Sequence, residues 1–446
     1  MKKTSVHARR RTQLVHAMGR DSIAIIATSP TAFRNRDVEY PYRADSDFYY
    51  LTGFPEPESV AVITSENGRQ GRFILFCRDR DREKEIWDGR RAGQAGAREF
   101  YGADESYSIG ELDQRLPGLL ENRRVVYYPM GRDPAFDQRL MGWRNQVRSR
   151  GRAGIRAPEH TVGIEEVLHE MRLRKDRSEI DVMRRAARIS AAAHQRAMYA
   201  CRPQMREYQI EAELLHEFAR QGSRFPAYGS IVAGGANACI LHYRENDAPL
   251  RDGDLLLIDA GCELDGYASD ITRTFPVNGR FSPAQRRLYD VVLAAQLAAI
   301  ECVKPGVRWN EPHDVAVKVL TAGLVKLGLL KGRPSELIKE GAYRRFYMHR
   351  TGHWLGMDVH DVGDYRADGE WRPLEPGMVL TVEPGLYVAP SSRGVDKQWW
   401  GIGIRIEDDV LVTAKGHEVL SRDAVKNADD IEAFMAQRNL AAGEVS

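Results

Sequence analysis

The sequence is poor in the features that mark several special classes of protein. Its five cysteines, Cys77, Cys201, Cys239, Cys262 and Cys302, are odd in number and widely separated, with no Cys-x-x-Cys pair. That spacing argues against a disulfide framework or a structural zinc site and predicts a reducing compartment. No run approaches the ~20 apolar residues a membrane-spanning helix requires. The apolar stretch Ile23 to Ala27, which follows the basic run His7 to Arg11, is too short for a signal-peptide core. A soluble, cytoplasmic protein with no membrane partner is expected. An excess of one charge is also missing. The net charge is +2 over 446 residues, without the basic surplus of a nucleic-acid binder. The arginine-rich stretch Arg144 to Arg156 reads as a solvated domain edge rather than a phosphate patch. There is no Gly-x-Ser-x-Gly elbow, no phosphate-binding P-loop and no His-Glu-x-x-His helix, which sets aside serine-hydrolase and nucleotide chemistry.

What is present suits a globular chain: 43% hydrophobic and 29% charged residues. The length exceeds what one core usually organises, so two unequal domains are expected. In the first, Ser22 to Thr28, Val60 to Thr64, Arg72 to Cys77 and Arg124 to Tyr128 read as strands, and Pro134 to Arg150 as a helix. Strands alternating with helices predict a small α/β domain over residues 1–172. The segment Glu165 to Arg174, followed by the charged Lys175 to Glu179, marks the boundary, with Ser178 as a candidate cap for a long helix over Ile180 to Cys201. Residues 173–446 then continue as a larger mixed α/β (α+β) domain. Glu207 to Gln221 and Ala284 to Val303 are helical by period, and Leu255 to Asp259 and Val379 to Glu383 are short apolar runs of buried-strand type.

Those two runs are alike. Gly253 to Gly261 lines up with Gly377 to Gly385, matching the first glycine, the apolar run, the terminal acid and the final glycine. Each is followed by a strand-like segment carrying a second acid: Asp270 in Tyr267 to Pro276, and Glu407 in Ile402 to Val412. A unit of strand, acid, turn, strand and acid therefore occurs twice. It predicts a duplicated half-domain with its copies related by a pseudo-two-fold axis.

A carboxylate at the end of a buried strand is unfavourable unless its desolvation is compensated. Four brought together repel each other unless cations intervene, and four carboxylates suggest two divalent ions. Carboxylates can bridge metals ~3.5–4 Å apart, the spacing of two-metal hydrolysis. A nitrogen ligand is available nearby. His349, His353 and His360 fall within one Gly-rich stretch, Met348 to Asp361, which has no amphipathic period and reads as a site loop.

The motifs Leu241-His242-Tyr243, Ile258-Asp259-Ala260-Gly261, Ser269 to Phe275, Gly352-His353-Trp354-Leu355-Gly356, Thr381-Val382-Glu383-Pro384-Gly385 and Gly403 to Asp408 occur in that order. Together they resemble the successive motifs of the proline-specific aminopeptidases, the aminopeptidase P and prolidase enzymes of the pita-bread metallopeptidases. Asp47 to Phe54 resembles part of that family's N-terminal domain, so the likeness covers nearly the whole chain.

The resemblance implies a pita-bread catalytic domain and a metal-dependent exopeptidase. Asp259 would chelate one ion, Asp270 and Glu407 would bridge two, and His353 and Glu383 would complete the second. This oxygen-rich set favours manganese. A hydroxide bridging the two ions would attack the scissile carbonyl, with Glu383 as proton carrier. His242 would stabilise the oxyanion, and His360 would hydrogen-bond the substrate. His349, Tyr387 and Arg405 would wall a pocket for proline, although Arg405 reads equally as a salt-bridge partner and Tyr387 also as strand packing. Trp87, set amid charge in Ile86 to Arg91, is a candidate for the substrate entrance across a subunit interface, or a plain surface residue. Family members are commonly homo-oligomers. Peptides with an Xaa-Pro N-terminus are the implied substrates, with prolidase action on dipeptides and a non-catalytic peptide-binding role as alternatives.

Overall fold

A computed structural model describes residues 5–443, and side chains to residue 437. The chain divides into two compact units between Met171 and Arg172, one residue before the boundary read from sequence.

The N-terminal unit is built on one six-stranded sheet. Its strand order is Glu105–Ser108, Phe73–Cys77, Val60–Asn67, Arg20–Ala27, Val125–Tyr127 and His160–Val162. Pairing is antiparallel among the central three strands and parallel towards both edges. Alternate residues Ile23, Ile25, Val60, Val62, Ile74 and Phe76 point to one face. Two helices cover that face. Leu112–Leu120 contributes Leu112, Leu116 and Leu120, and Pro134–Ser149 contributes Phe136, Leu140, Trp143 and Val147, in each case at helical spacing. The second helix starts cleanly because Asp133 accepts from the amides of Ala135 and Phe136, and Pro134 has no amide proton to satisfy. In the arginine-rich stretch Arg148, Arg150, Arg152 and Arg156 are exposed, as a solvated edge requires, and Arg144 is the exception. It is buried, donating to Thr161 Oγ1 at 2.8 Å and to the Pro158 carbonyl at 2.8 Å.

In the C-terminal unit one order of elements runs twice. Helices Arg177–Ala200 and Glu207–Arg220 precede strands Ile231–Gly234, Leu255–Asp259 and Thr272–Pro276. Helices Pro283–Cys302 and Glu311–Lys326 precede the segment around Trp354 and strands Val379–Val382 and Asp408–Val412. In both copies the strand ending at the first acid pairs antiparallel with the strand that starts just after the second acid. Between them lies an antiparallel pair, Cys262–Leu264 with Tyr267–Ala268 in the first copy and Gly385–Val388 with Ile402–Arg405 in the second. The final glycine of each aligned run is dictated by crowding. A Cβ on Gly261 would sit 1.7 Å from the Ser269 carbonyl oxygen, and one on Gly385 would sit 2.5 Å from Tyr387 Oη.

Helix Arg177–Ala200 is capped by Asp176, not Ser178. Asp176 accepts from the amides of Ser178 and Glu179, and Glu179 returns a bond to the Asp176 amide. This capping box uses the acid one turn before the apolar face, and Ser178 lies inside the first turn.

Candidate metal centre and substrate cleft

The duplicated strands bring the four carboxylates together. Asp259 ends its strand, and Asp270 lies in the turn before Thr272–Pro276. Glu407 sits between Arg405 and Asp408, so the two long strand-like segments read from sequence are each broken at their acid. The break frees the acid from the ladder and turns it inward. The copies then join beside the acids, where the Glu407 amide donates to the Thr272 carbonyl at 3.1 Å. His353 reaches the same place because its segment pairs with Val379–Val382: the Thr381 amide donates to the His353 carbonyl at 2.9 Å.

Ligand atoms of Asp270, His353 and Glu407 lie within 4.8 Å of one another. His353 Nε2 is 3.4 Å from Asp270 and 3.9 Å from Glu383. His353 Nδ1 is 2.9 Å from the Trp354 carbonyl, which fixes its proton there and directs Nε2 into the cluster. Asp259 is tied from behind by Arg405 at 2.6 Å. Arg405 also donates to Tyr387 Oη at 3.0 Å and to Thr272 Oγ1 at 3.2 Å, and Thr272 in turn donates to Glu407 at 2.7 Å.

The charges fit a divalent-cation site. Four carboxylates face one guanidinium and one imidazole. Burial pushes the Glu383 carboxyl up to about 7, against the pull of His353 and Arg405. Burial and then the Asp270 charge raise Glu407 well above the carboxylate range. Burial disfavours charge on His353, yet its hydrogen bond and attraction to Asp270, with Glu383, lift it to about 9. Tyr228 carries the plainest sign. Its hydroxyl stands 2.6 Å from Asp259 Oδ1 and is also in hydrogen-bond contact with Asp270 Oδ1. A phenol has one proton to give, so the two acids are held closer than the available donors satisfy. Added positive charge relieves that arrangement, and hard oxygen donors with one imidazole suit a divalent ion.

The cluster forms the buried floor of a cavity of about 690 Å³. Of the residues singled out from sequence, Asp259, Asp270, His353, Glu383, Glu407, His242, His349, His360 and Arg405 all line it. His360 stacks edge-on to His353 with ring centres 4.4 Å apart. Tyr387 is buried behind the lining rather than in it, donating or accepting with His349 Nε2 at 2.9 Å. Arg405 acts here as the partner of Asp259. Trp87 lies in the N-terminal unit, 87% exposed on the short helix Arg82–Asp88, and is not among the lining residues. Sequence reasoning missed Tyr228, Thr272, Arg244 and Arg350. It also missed Asp409, whose carboxylate accepts from the Asp270 amide at 3.2 Å. Asp409 had a signal, standing in the acidic run Glu407-Asp408-Asp409, whereas Tyr228 had only a neighbouring glycine.

The chain is similar to known proteins over nearly its whole length. Residues 181–414 match the model of metallopeptidase family M24, and residues 7–127 match that of the aminopeptidase P N-terminal domain. The Xaa-Pro aminopeptidase of Escherichia coli strain K12 is 49% identical over 427 residues, covering 96% of each chain. The structure of Pseudomonas aeruginosa aminopeptidase PepP superimposes with a TM-score of 0.96 at 58% identity, covering 98% of this chain and 99% of that one. Zinc-substituted E. coli aminopeptidase P in complex with product gives 0.95 at 48% identity, covering 98% and 99%. With both units matched, this chain belongs to metallopeptidase family M24, together with the Xaa-Pro aminopeptidases.

Proposed function

We propose that this chain removes the N-terminal residue from peptides whose second residue is proline, using two divalent ions held by Asp259, Asp270, His353, Glu383 and Glu407. The convergence of Asp270, His353 and Glu407 within 4.8 Å at the floor of an open cleft carries the reading. Ions bound there supply Lewis-acid polarisation of a carbonyl and a lowered pKa for water.

The protein groups divide the remaining work. Glu383, in the cluster, is the group to accept a proton from water and return it to the leaving proline nitrogen. That return matters for an Xaa-Pro bond, a tertiary amide with no N–H of its own. His242 and His360 are exposed in the cleft; His242 would donate to the carbonyl oxygen as charge develops on it, and His360 would hydrogen-bond the substrate near the scissile bond. His349 is anchored from behind by Tyr387 and offers a firm wall for the rigid ring. The acidic floor suits the substrate's free amine, which restricts cleavage to the chain end. Manganese fits the oxygen-rich ligand set. The five unpaired cysteines fit the cytoplasm. The exposed Ile86 and Trp87 fit a homo-oligomer contact near which longer substrates pass.

Hydrolysis of Arg-Pro-Pro, Ala-Pro and Ala-Ala-Ala by chelator-stripped protein, with and without manganese, tests this. Manganese-dependent cleavage of Arg-Pro-Pro is expected. Cleavage of Ala-Pro alone makes the enzyme a dipeptidase, and no cleavage of either proline peptide by the metal-loaded protein refutes the reading.

A further inference from the structure

Two arginines in the cleft lining have no part in the chemistry above. Arg244 and Arg350 are both exposed there. Among the described residues neither guanidinium has an acidic partner or a hydrogen-bond acceptor. The contrast within the same unit is plain: Arg172, Arg184, Arg196, Arg273 and Arg286 are all ion-paired. The chain that carries each arginine is nevertheless anchored. Arg244 follows His242 and the buried Tyr243, whose hydroxyl donates to Glu207 at 2.8 Å. Arg350 lies between the cleft residue His349 and the buried Thr351, and His349 Nδ1 is 2.7 Å from the Arg350 carbonyl. Its guanidinium stands 5.4 Å from the centre of the Trp371 ring, within cation–π range. Trp371 is itself fixed by the hairpin pairing of Arg366 with Trp371.

The cleft is therefore acidic at its floor and basic along part of its lining. A short peptide is a dipole with its amine at one end and its carboxylate at the other. Such a field orients it amine inward, and an arginine fork is well shaped to receive a carboxylate. We propose that Arg244 and Arg350 form an anion-recognising subsite for the C-terminal carboxylate of Xaa-Pro-Yaa tripeptides, so that the cleft selects short substrates with a free carboxyl terminus. This rests on the proposed aminopeptidase reading for its substrate class, while the placement of the two arginines stands apart from it.

The test compares Ala-Pro-Phe with its C-terminal amide, Ala-Pro-Phe-NH2, as substrates of the manganese-loaded protein. The free acid is expected to have the higher kcat/KM by about tenfold, carried by KM, the scale of one charge-assisted pair at a partly exposed site. In Arg244→Ala/Arg350→Ala that ratio falls to near unity, and Arg350→Lys retains part of it. Raising the ionic strength narrows the ratio in the native protein. Equal kcat/KM for acid and amide in the native protein, or an unchanged ratio in the double variant, overturns the subsite. Calorimetric binding of the same two peptides to chelator-stripped native and double-variant protein reads the subsite without turnover. Absence of cleavage with a preserved acid-over-amide preference in binding then refutes the peptidase reading alone.

Discussion

The loop that carries His360 into the cleft hangs on one carboxylate, and removing its charge is the sharpest perturbation the fold offers. Asp361 is buried, and it accepts from Lys175 Nζ at 2.8 Å and from Arg172 at 2.7 Å. Burial alone would push its carboxyl up, but Lys175 and then Arg172 hold it below its ordinary value. In Asp361→Asn, Arg172 keeps its 2.7 Å bond to Asp358. The Lys175 side chain, 1% exposed, then loses its counter-charge and faces, among the described residues, a neutral amide oxygen and the Leu173 carbonyl at 3.5 Å. A cation stranded in this way costs about 3–5 kcal/mol. For a unit of this size, at ~2 °C per kcal/mol, that lowers the midpoint by about 6–10 °C. The sign with pH follows. A carboxyl depressed in the folded state contributes stability above its unfolded pKa of about 4, and that contribution is lost as pH falls through the folded value. The native protein should therefore lose this increment in acid, and the variant should lack the slope. Calorimetric melts of both proteins between pH 3 and 7, buffers chosen to bracket ~4, read the two effects together. Lys175→Met/Asp361→Leu should recover most of the midpoint, because it removes both charges at once. A single variant that melts within ~1 kcal/mol of native, or a double variant worse than the single, refutes the reasoning. Activity adds an independent signal, since a loosened loop misplaces His360 and should lower kcat.

Other expectations can be checked as directly. Asp270→Asn should stay folded by circular dichroism but bind fewer manganese ions per chain by elemental analysis. Its activity should fall by about a hundredfold or more, at least the loss usual for a residue that merely supports a ligand; near-native turnover would remove Asp270 from the metal set. Metal uptake should release protons, because Glu383 near 7 and His353 near 9 carry protons in the metal-free protein that a bound ion must displace. Affinity should accordingly weaken as pH falls through 7, and titration in buffers of different ionisation heats should give a clear slope; a flat dependence contradicts it. Trp87→Ala should raise KM for longer peptides while sparing tripeptides, and identical kinetics at every length would leave it a surface residue.

How much of this was readable in the sequence depends on how locally each feature is determined. The run from Leu255 to Ile258 is apolar throughout because both faces are covered, and the terminal acid that closes its strand is conspicuous in any window. The repeat was visible for the same reason, since Gly261 and Gly385 stand where the backbone admits no Cβ, so each run ends in the same small residue. Arg405 was harder. Its spacing from Glu407 was plain, but its pairing with Asp259 is a contact across 146 positions of chain. Ser178 and Asp176 are both good caps, and the choice fell to Asp176 because Glu179 completes its box.

Tyr228 shows where a one-dimensional reading ends. Nothing in its neighbourhood distinguishes it from a packed aromatic, and its importance comes from standing between two acids 31 and 42 residues away. The same holds for Arg244 and Arg350. In sequence they are two among many arginines, and the absence of an acidic partner is a statement about space that no window of sequence contains. Ligand-bearing residues are legible because a metal demands particular atom types in particular turns. Residues that tune or select are defined by what surrounds them, which is why the acidic cluster could be read from sequence and the two arginines of the lining could not.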